Sequence, residues 1–398
     1  MRSNRLAWTS AENPLSRLLG EKRSRGDTVF DLTESNPTRA DIYYPVKEIL
    51  AALASPLSLV YHPAPTGIPT ARDAVAGYYQ ARGVHVSADD VVLTASTSEA
   101  YSFLFKLLCN PGDRILVPRP SYPLLEYLAA LESVEIDYYS LVYDGEWRVD
   151  VESVEAAVSE RTRALVVVNP NNPTGSFLKR DELESLLRVL RSYRLALVSD
   201  EVFSDYGFGE APNRIRSLVG STEGVLAFAL NGLSKVAGLP QVKLGWIVVH
   251  GPDPERKDAL SALEHIGDTF LSVSAPAQNG APALLALAPR LQTTIHERLF
   301  SNYDALRGVL GADSACRPLQ LEGGWYAVLR LPLVLSSEEW SLEILARDGV
   351  HAHPGYLFDF AAEAHLVVSL VTPPDTFRVG IERIAARVAA VLEYERAR

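Results

Sequence analysis

Cysteine is nearly absent from this 398-residue chain: Cys109 and Cys316 are the only two. Two cysteines without CxxC spacing exclude a disulfide framework and fit a reducing compartment. Both read as core or free thiols rather than nucleophiles. The eight histidines show neither an HxxxH nor an HExxH pattern, so no metal site is expected. No apolar run approaches the ~18–20 residues of a membrane span. Met1 to Gly26 is rich in arginine but has no apolar stretch of signal-peptide length, and Glu12 and Glu21 weigh against a transit peptide. A soluble cytoplasmic protein is the expectation. Positive charge is outweighed: the net charge is −11 and the pI about 5.3. That balance argues against a general nucleic-acid or anionic-membrane surface. Gly207-Phe208-Gly209 lacks the third glycine and the strand–helix setting of a dinucleotide fingerprint.

What is present is an alternation. From about Asp41 to Asp313, short β-branched runs at Ile115–Val117, Val134–Tyr139, Ala164–Val168, Leu195–Ser199, Val225–Leu230 and Leu244–Val249 are separated by helical patterns. Asp181 to Leu190 places apolar residues at i, i+3 and i+4 with charge opposite. Such alternation implies βαβ units and a mostly parallel sheet covered on both sides. Two helical patterns, around Ala283–Leu287 and Leu291–Leu310, then break it. Strands at Trp325–Leu331 and His365–Leu370 and helices at Glu338–Arg347 and Asp375–Arg396 follow, suggesting a smaller α+β domain. The expected division is an N-terminal segment, 1–40, joining the small domain or a dimer contact, a large domain, 41–290, and a small C-terminal domain, 291–398.

The polar motifs fall where apolar runs end, the place where open α/β sheets bind ligands. Asn231-Gly232-Leu233-Ser234-Lys235 closes one run, and Lys243 precedes the next. A lysine buried in a site gives up its charge readily and attacks an aldehyde, which arginine does not. Asp200 ends another run, Asn169-Pro170-Asn171-Asn172-Pro173-Thr174-Gly175 a third. Alone, Asp200 is equally a turn cap and Asn172 a turn residue. Together, a lysine, an acid and an asparagine at neighbouring strand ends suit a pyridine cofactor held as a Schiff base, the acid facing the ring nitrogen. Thr94 to Ala100 runs into an apolar helix, where backbone N–H groups and hydroxyls make an anion site; in isolation an ordinary Ser-x-x-Glu cap is the better reading there. Ser234 and Lys243 suit a phosphate by hydroxyl and point charge. Pro120-Ser121-Tyr122-Pro123 sets an aromatic ring past a strand, for stacking or for plain turn packing.

In order, Tyr61…Gly67, Ser96 to Ala100, Pro120 to Pro123, Asn169 to Gly175, Asp200-Glu201-Val202-Phe203, Ser234-Lys235 and Lys243 resemble the class I/II (fold-type I) aminotransferases. The resemblance runs from about Leu32 to the C-terminus. It implies an aspartate-aminotransferase-like α/β fold whose large domain carries a mostly parallel, seven-stranded-type sheet. It also implies pyridoxal 5'-phosphate as cofactor and transfer of an amino group between an amino acid, or related amine, and a 2-oxo acid. Lys235 matches the Schiff-base lysine that also shuttles a proton. Asp200 matches the pyridine-nitrogen partner, Asn172 the ligand of the ring's phenolic oxygen, and Tyr122 the stacking aromatic. Thr97, Ser98, Ser234 and Lys243 match the phosphate cup. Tyr61 matches a tyrosine reaching the phosphate of a neighbouring subunit, so a homodimer is implied.

Three departures from the family pattern, at four positions, stand out. Phe203 stands where a tyrosine is usual, removing a phenol and raising the expected pKa of the Schiff base. Gly232 replaces a phosphate-binding serine and Lys243 an arginine, giving a point charge without a bidentate fork. Val367, in His365-Leu366-Val367-Val368-Ser369-Leu370, occupies the place of the arginine that clamps the substrate carboxylate, while Arg378 matches a different, helical arginine. Either another cation such as Arg39 or Arg330 serves, or the substrate is not a standard α-amino acid. The second possibility keeps a lyase, decarboxylase, racemase or cyclase of the same fold in view.

Overall fold

The computed structural model describes residues 3–6, 13–209, 211–311 and 313–397. At its centre lies an eight-stranded sheet in the order Val91–Thr94, Gly245–His250, Ala227–Gly232, Ala196–Asp200, Thr162–Val168, Arg114–Arg119, Glu135–Tyr143, Trp147–Val149. The five strands from Ala227–Gly232 to Glu135–Tyr143 pair in parallel. Gly245–His250 runs antiparallel to both of its neighbours. The eighth strand, Trp147–Val149, pairs antiparallel with Glu135–Tyr143. It is the addition to the seven-stranded pattern, too short to show an alternation of its own.

Strand side chains alternate between two cores. Ile115, Val117, Val166, Val198, Phe228 and Ile247 pack on one face with the helices Thr97–Leu108 and Asp253–Phe270. Leu116, Leu165, Val167 and Leu197 pack on the other with the helix Arg180–Tyr193. Burial on both faces explains why these strands read as unbroken apolar runs. The parallel strands all end at one edge, so Pro120–Pro123, Asn169–Gly175, Asp200 and Gly232–Lys235 are delivered together.

The patterns around Ala283–Leu287 and Leu291–Leu310 form one 35-residue helix, Ala275–Val309, with Pro282 and Pro289 inside it. An internal proline costs a helix ~3 kcal/mol, which is why the sequence reads as interrupted. The buried stripe of Ala277, Ala281, Leu284, Leu285, Ala288, Leu291, Ile295 and Leu299 outweighs it. The helix passes without a break through residue 290, where the large domain was expected to end.

Beyond it, Arg317–Pro318, Tyr326–Arg330, His365–Ser369 and His353–Pro354 form a four-stranded antiparallel sheet. The helices Ser337–Asp348 and Pro374–Ala397 accompany it. Phe30–Asp31 pairs in parallel with Val350–His351, and Leu32, Ala40 and Ile42 share one apolar core with Trp325, Trp340, Val367 and Phe377. The stretch Phe30 to Ile42 thus packs with the small sheet.

Candidate active site

A cavity of about 190 Å³ opens at the carboxyl edge of the parallel strands. Seven of the expected residues line it: Thr97, Ser98, Tyr122, Asn172, Asp200, Ser234 and Lys235. They come from five chain segments, which is why no single motif reveals the site.

Lys235 lies in the short helix Leu233–Val236, directly after the strand Ala227–Gly232. Its Nζ stands 4.7 Å from the ring centre of Trp325 and 5.4 Å from that of Phe203. Desolvation pulls the amine down to about 8 from the usual 10.5, against the attraction of Asp200. An amine at that value is substantially unprotonated in mildly alkaline water and able to attack a carbonyl carbon.

Asp200 ends the strand Ala196–Asp200. Its Oδ1 accepts the Val202 N–H at 3.2 Å and its Oδ2 the Tyr101 hydroxyl at 3.1 Å. Burial pushes the carboxyl up to about 6, opposed by those two donors and by Lys235. At neutral pH it is an anion on a cavity wall, suited to a cationic ring nitrogen. The next residue, Glu201, points away from the cavity. Its Oε1 accepts the Ser199 hydroxyl and the Leu218 N–H, and burial raises it to about 7.

The helix Thr97–Leu108 starts at the cavity. Ser96 caps it by accepting the Glu99 N–H at 3.2 Å, and Glu99 accepts the Ala95 N–H at 2.6 Å. Because Ser96 and Glu99 do the capping, Thr97 and Ser98 keep their hydroxyls for the cavity. The ordinary-cap reading and the anion-site reading therefore fall on different residues of one turn.

Two buried polar atoms in the cavity lining lack a partner: Asn172 Oδ1 and Ser121 Oγ. Leaving such groups dry costs ~1–3 kcal/mol each, so they mark a place for a polar ligand. Asn172 is held there by its turn. Gly175 has φ +70°, and a Cβ on it would lie 2.1 Å from Leu321 Cδ1 and 2.3 Å from the Gly323 carbonyl oxygen. Only glycine fits that close approach.

Not every expected residue joins the cavity. Lys243 is exposed, with φ 59°, just before Leu244, which lines the cavity. Tyr61 is 81% exposed and borders a separate surface groove with His62 and Leu271. Arg39 and Arg330 are exposed, and neither lines the cavity. Val367 is fully buried between Val328 and His353 of the neighbouring strands. Arg378 bonds Glu382 on its own helix. Both cysteine thiols are pushed up to about 12 by burial, which makes them inert at neutral pH.

Sequence reasoning missed Tyr101, Tyr326, Trp325 and Tyr206. Each reads as a core aromatic, and only the hydroxyl partners, the cavity or, for Trp325, the Lys235 amine over its ring reveal a role. Among the described residues no group of His, Cys, Asp and Glu could hold a metal ion, and no helix is long and apolar enough to cross a membrane.

A doubly covered α/β sheet whose strand ends present a desolvated lysine, a buried acid and a hydroxyl-lined helix start defines an enzyme of carbonyl–amine exchange. Residues 27–384 match the family described as aminotransferase class I and II, and the chain belongs to it; it is a transaminase. It is 28% identical over 316 residues to tyrosine aminotransferase of Bos taurus, covering 76% of this chain and 69% of that protein. Glutamate-pyruvate aminotransferase AlaA of Escherichia coli is 30% identical over 220 residues, 55% of this chain and 54% of that protein. The solved alanine aminotransferase of Pyrococcus furiosus shares the fold, with a TM-score of 0.88 at 24% identity over 98% of this chain and all of that one.

Proposed function

We propose that this transaminase holds pyridoxal 5'-phosphate in the cavity around Lys235. The observation that carries this reading is the convergence of Lys235, Asp200 and the Asn172 amide, whose Oδ1 lacks a partner, on one cavity. When bound, the cofactor supplies the aldehyde carbon that takes up the amino group and a ring that accepts the electron pair left on the substrate carbon.

The chain's own residues do the rest. Asp200, oriented by Tyr101 and the Val202 N–H, would hold positive charge at the ring nitrogen. Asn172 would donate its Nδ2 to a ring oxygen, and Tyr122 would lie against the ring. Thr97, Ser98 and Ser234 offer hydroxyls to the phosphate, helped by the positive end of the helix Thr97–Leu108. Lys243 adds a point charge from the rim. Lys235 would hold the cofactor through its amine and, once free, would take up and return a proton beside the substrate carbon. Leu124, Leu125, Leu128, Val202 and Phe203 keep the cavity apolar.

The amino donor is an amino acid or related amine, and the acceptor a 2-oxo acid. The names of the relatives support amino acids of aromatic and small side chain. The working unit in this reading is a homodimer. Tyr43, Leu57, Leu59, Val60 and Tyr61 are 61–89% exposed within one short stretch, a concentration of bare apolar surface that a second copy of the chain would cover. Tyr61 would then approach the partner's phosphate.

The test is a half-reaction. Cofactor-loaded protein mixed with an amino donor should lose its absorbance near the visible and gain that of the amine form, and a 2-oxo acid should reverse the change. Steady loss of the donor with no amine form would assign a lyase or decarboxylase instead.

A further inference from the structure

We propose that Tyr206 is the positioning residue for Lys235, fixing the lysine's main chain and the aromatic surface beneath its amine at the same time. The proposal rests on the reading of Lys235 as the reactive amine.

The helix that carries Lys235 has four residues. One turn fixes several backbone dihedrals for a single hydrogen bond and is unstable by itself, so its geometry must come from outside. Tyr206, fully buried, donates its hydroxyl to the carbonyl oxygen of Lys235 over 2.6 Å. One residue on, the carbonyl of Val236 accepts Gln292 Nε2 at 2.9 Å, and the same nitrogen reaches Asp205 Oδ2 at 2.7 Å. Asp205 is tied further to Tyr78 and Arg82, at 2.9 and 2.7 Å. Two successive carbonyls of the lysine segment are therefore pinned, one by Tyr206 and the next by Gln292 of the helix Ala275–Val309, which Asp205 holds in place.

The second contact is the ring. Tyr206 meets Trp325 edge-on, with centroids 5.2 Å apart, and its carbonyl accepts the Gly324 N–H at 2.8 Å. Trp325 is the ring over which Lys235 Nζ stands. Tyr206 thus sets both the root of the side chain and the surface facing its tip.

The third point is where Tyr206 comes from. It lies six residues after Asp200, in the turn that leaves the same strand. A turn that holds Asp200 at one end and the lysine carbonyl at the other fixes the separation of acid and amine, whatever the rest of the domain does. Rates of oriented reactions fall by as much as ~10²-fold for a 1 Å misplacement.

Tyr206→Phe keeps the ring and removes the pin. Expected is a kcat about tenfold lower with KM for the donor within roughly twofold, since orientation rather than substrate binding is lost. A second readout needs no cofactor: the rate at which an arylating reagent modifies Lys235, followed by mass spectrometry across pH. Around the amine stand Asp200 and the rings of Phe203 and Trp325. A loosened amine moves toward water, so the midpoint should rise from about 8 toward 10.5. Gln292→Met, which acts on the other carbonyl, should produce a smaller shift in the same direction and serves if Tyr206→Phe folds poorly. Unchanged kcat and unchanged arylation midpoint in both variants would overturn the proposal. So would a kcat loss matched by an equal rise in KM. A wild-type protein that moves no amino group yet shows the arylation shift would sink the functional reading and leave the positioning role standing.

Discussion

Tyr101 donates its hydroxyl to Asp200 Oδ2 from a point one turn beyond Thr97 and Ser98 on the same helix. One rigid element therefore carries the hydroxyls proposed for the phosphate and the donor that orients the acid, so the two ends of the cofactor are held at a fixed span. Tyr101→Phe removes a charge-assisted bond of ~1.5–3 kcal/mol. Pyridoxal phosphate should then bind about tenfold or more weakly, as titration of the cofactor-free protein would show.

Asp200 has an effect on stability whose sign follows from its shift. Its carboxyl titrates at about 6 in the folded chain against 3.8 ordinarily. Between those values the folded chain binds the extra proton, so this group's contribution falls as pH rises from about 4 to 6 and stays low above. Asp200→Asn in cofactor-free protein should be more stable than wild type at pH 7, by at most about 3 kcal/mol. The difference should vanish near pH 4, and urea unfolding at the two pH values measures it. Transfer activity should fall at least about a hundredfold, giving a variant that is stabler and nearly inactive.

Phe203 packs 5.4 Å from Lys235 Nζ with no polar atom to offer. Phe203→Tyr introduces a phenol at this wall. The pH midpoint of the absorbance of the cofactor-linked lysine should fall, because a hydrogen bond to the anionic ring oxygen favours the unprotonated link. Absorbance titration of both proteins decides the point.

Gly175 is held between Leu321 and the Gly323 carbonyl in a left-handed conformation. Gly175→Ala forces a clash with backbone and strains φ, so it should destabilise by more than about 2 kcal/mol. Cofactor affinity should drop too, since Asn172 lies in the same turn. Thermal unfolding and cofactor titration report the two effects separately.

Much of this was legible in the sequence, for a physical reason. Strands buried on both faces announce themselves as apolar runs, and in an open α/β sheet the residues after them point to the ligand edge. That rule brought Asn172, Asp200 and Lys235 to one edge without coordinates, and all three line one cavity. It failed where a side chain acts from inside the core: Tyr101 and Tyr206 sit in apolar patterns, and their hydroxyl partners are 99 and 29 residues away. The helix Ala275–Val309 was hidden by its prolines, whose local cost is visible in sequence while the tertiary burial that outweighs it is not. Tyr61 and Val367 mark the remaining gap. Tyr61 lies on an exposed surface away from the cavity, and its expected role rests on the proposed dimer. Val367 is core in the folded chain, so whichever group takes the substrate carboxylate is not at that position.

The central claim is that Lys235 is the residue joined to the cofactor. Borohydride reduction of protein loaded with pyridoxal phosphate, followed by peptide mass spectrometry, tests it most directly. The pyridoxyl mass should appear on the peptide containing Ser234-Lys235 and be lost from that peptide in Lys235→Ala. Stoichiometric label on Lys243 or any other lysine, with Lys235 unmodified, would contradict the account.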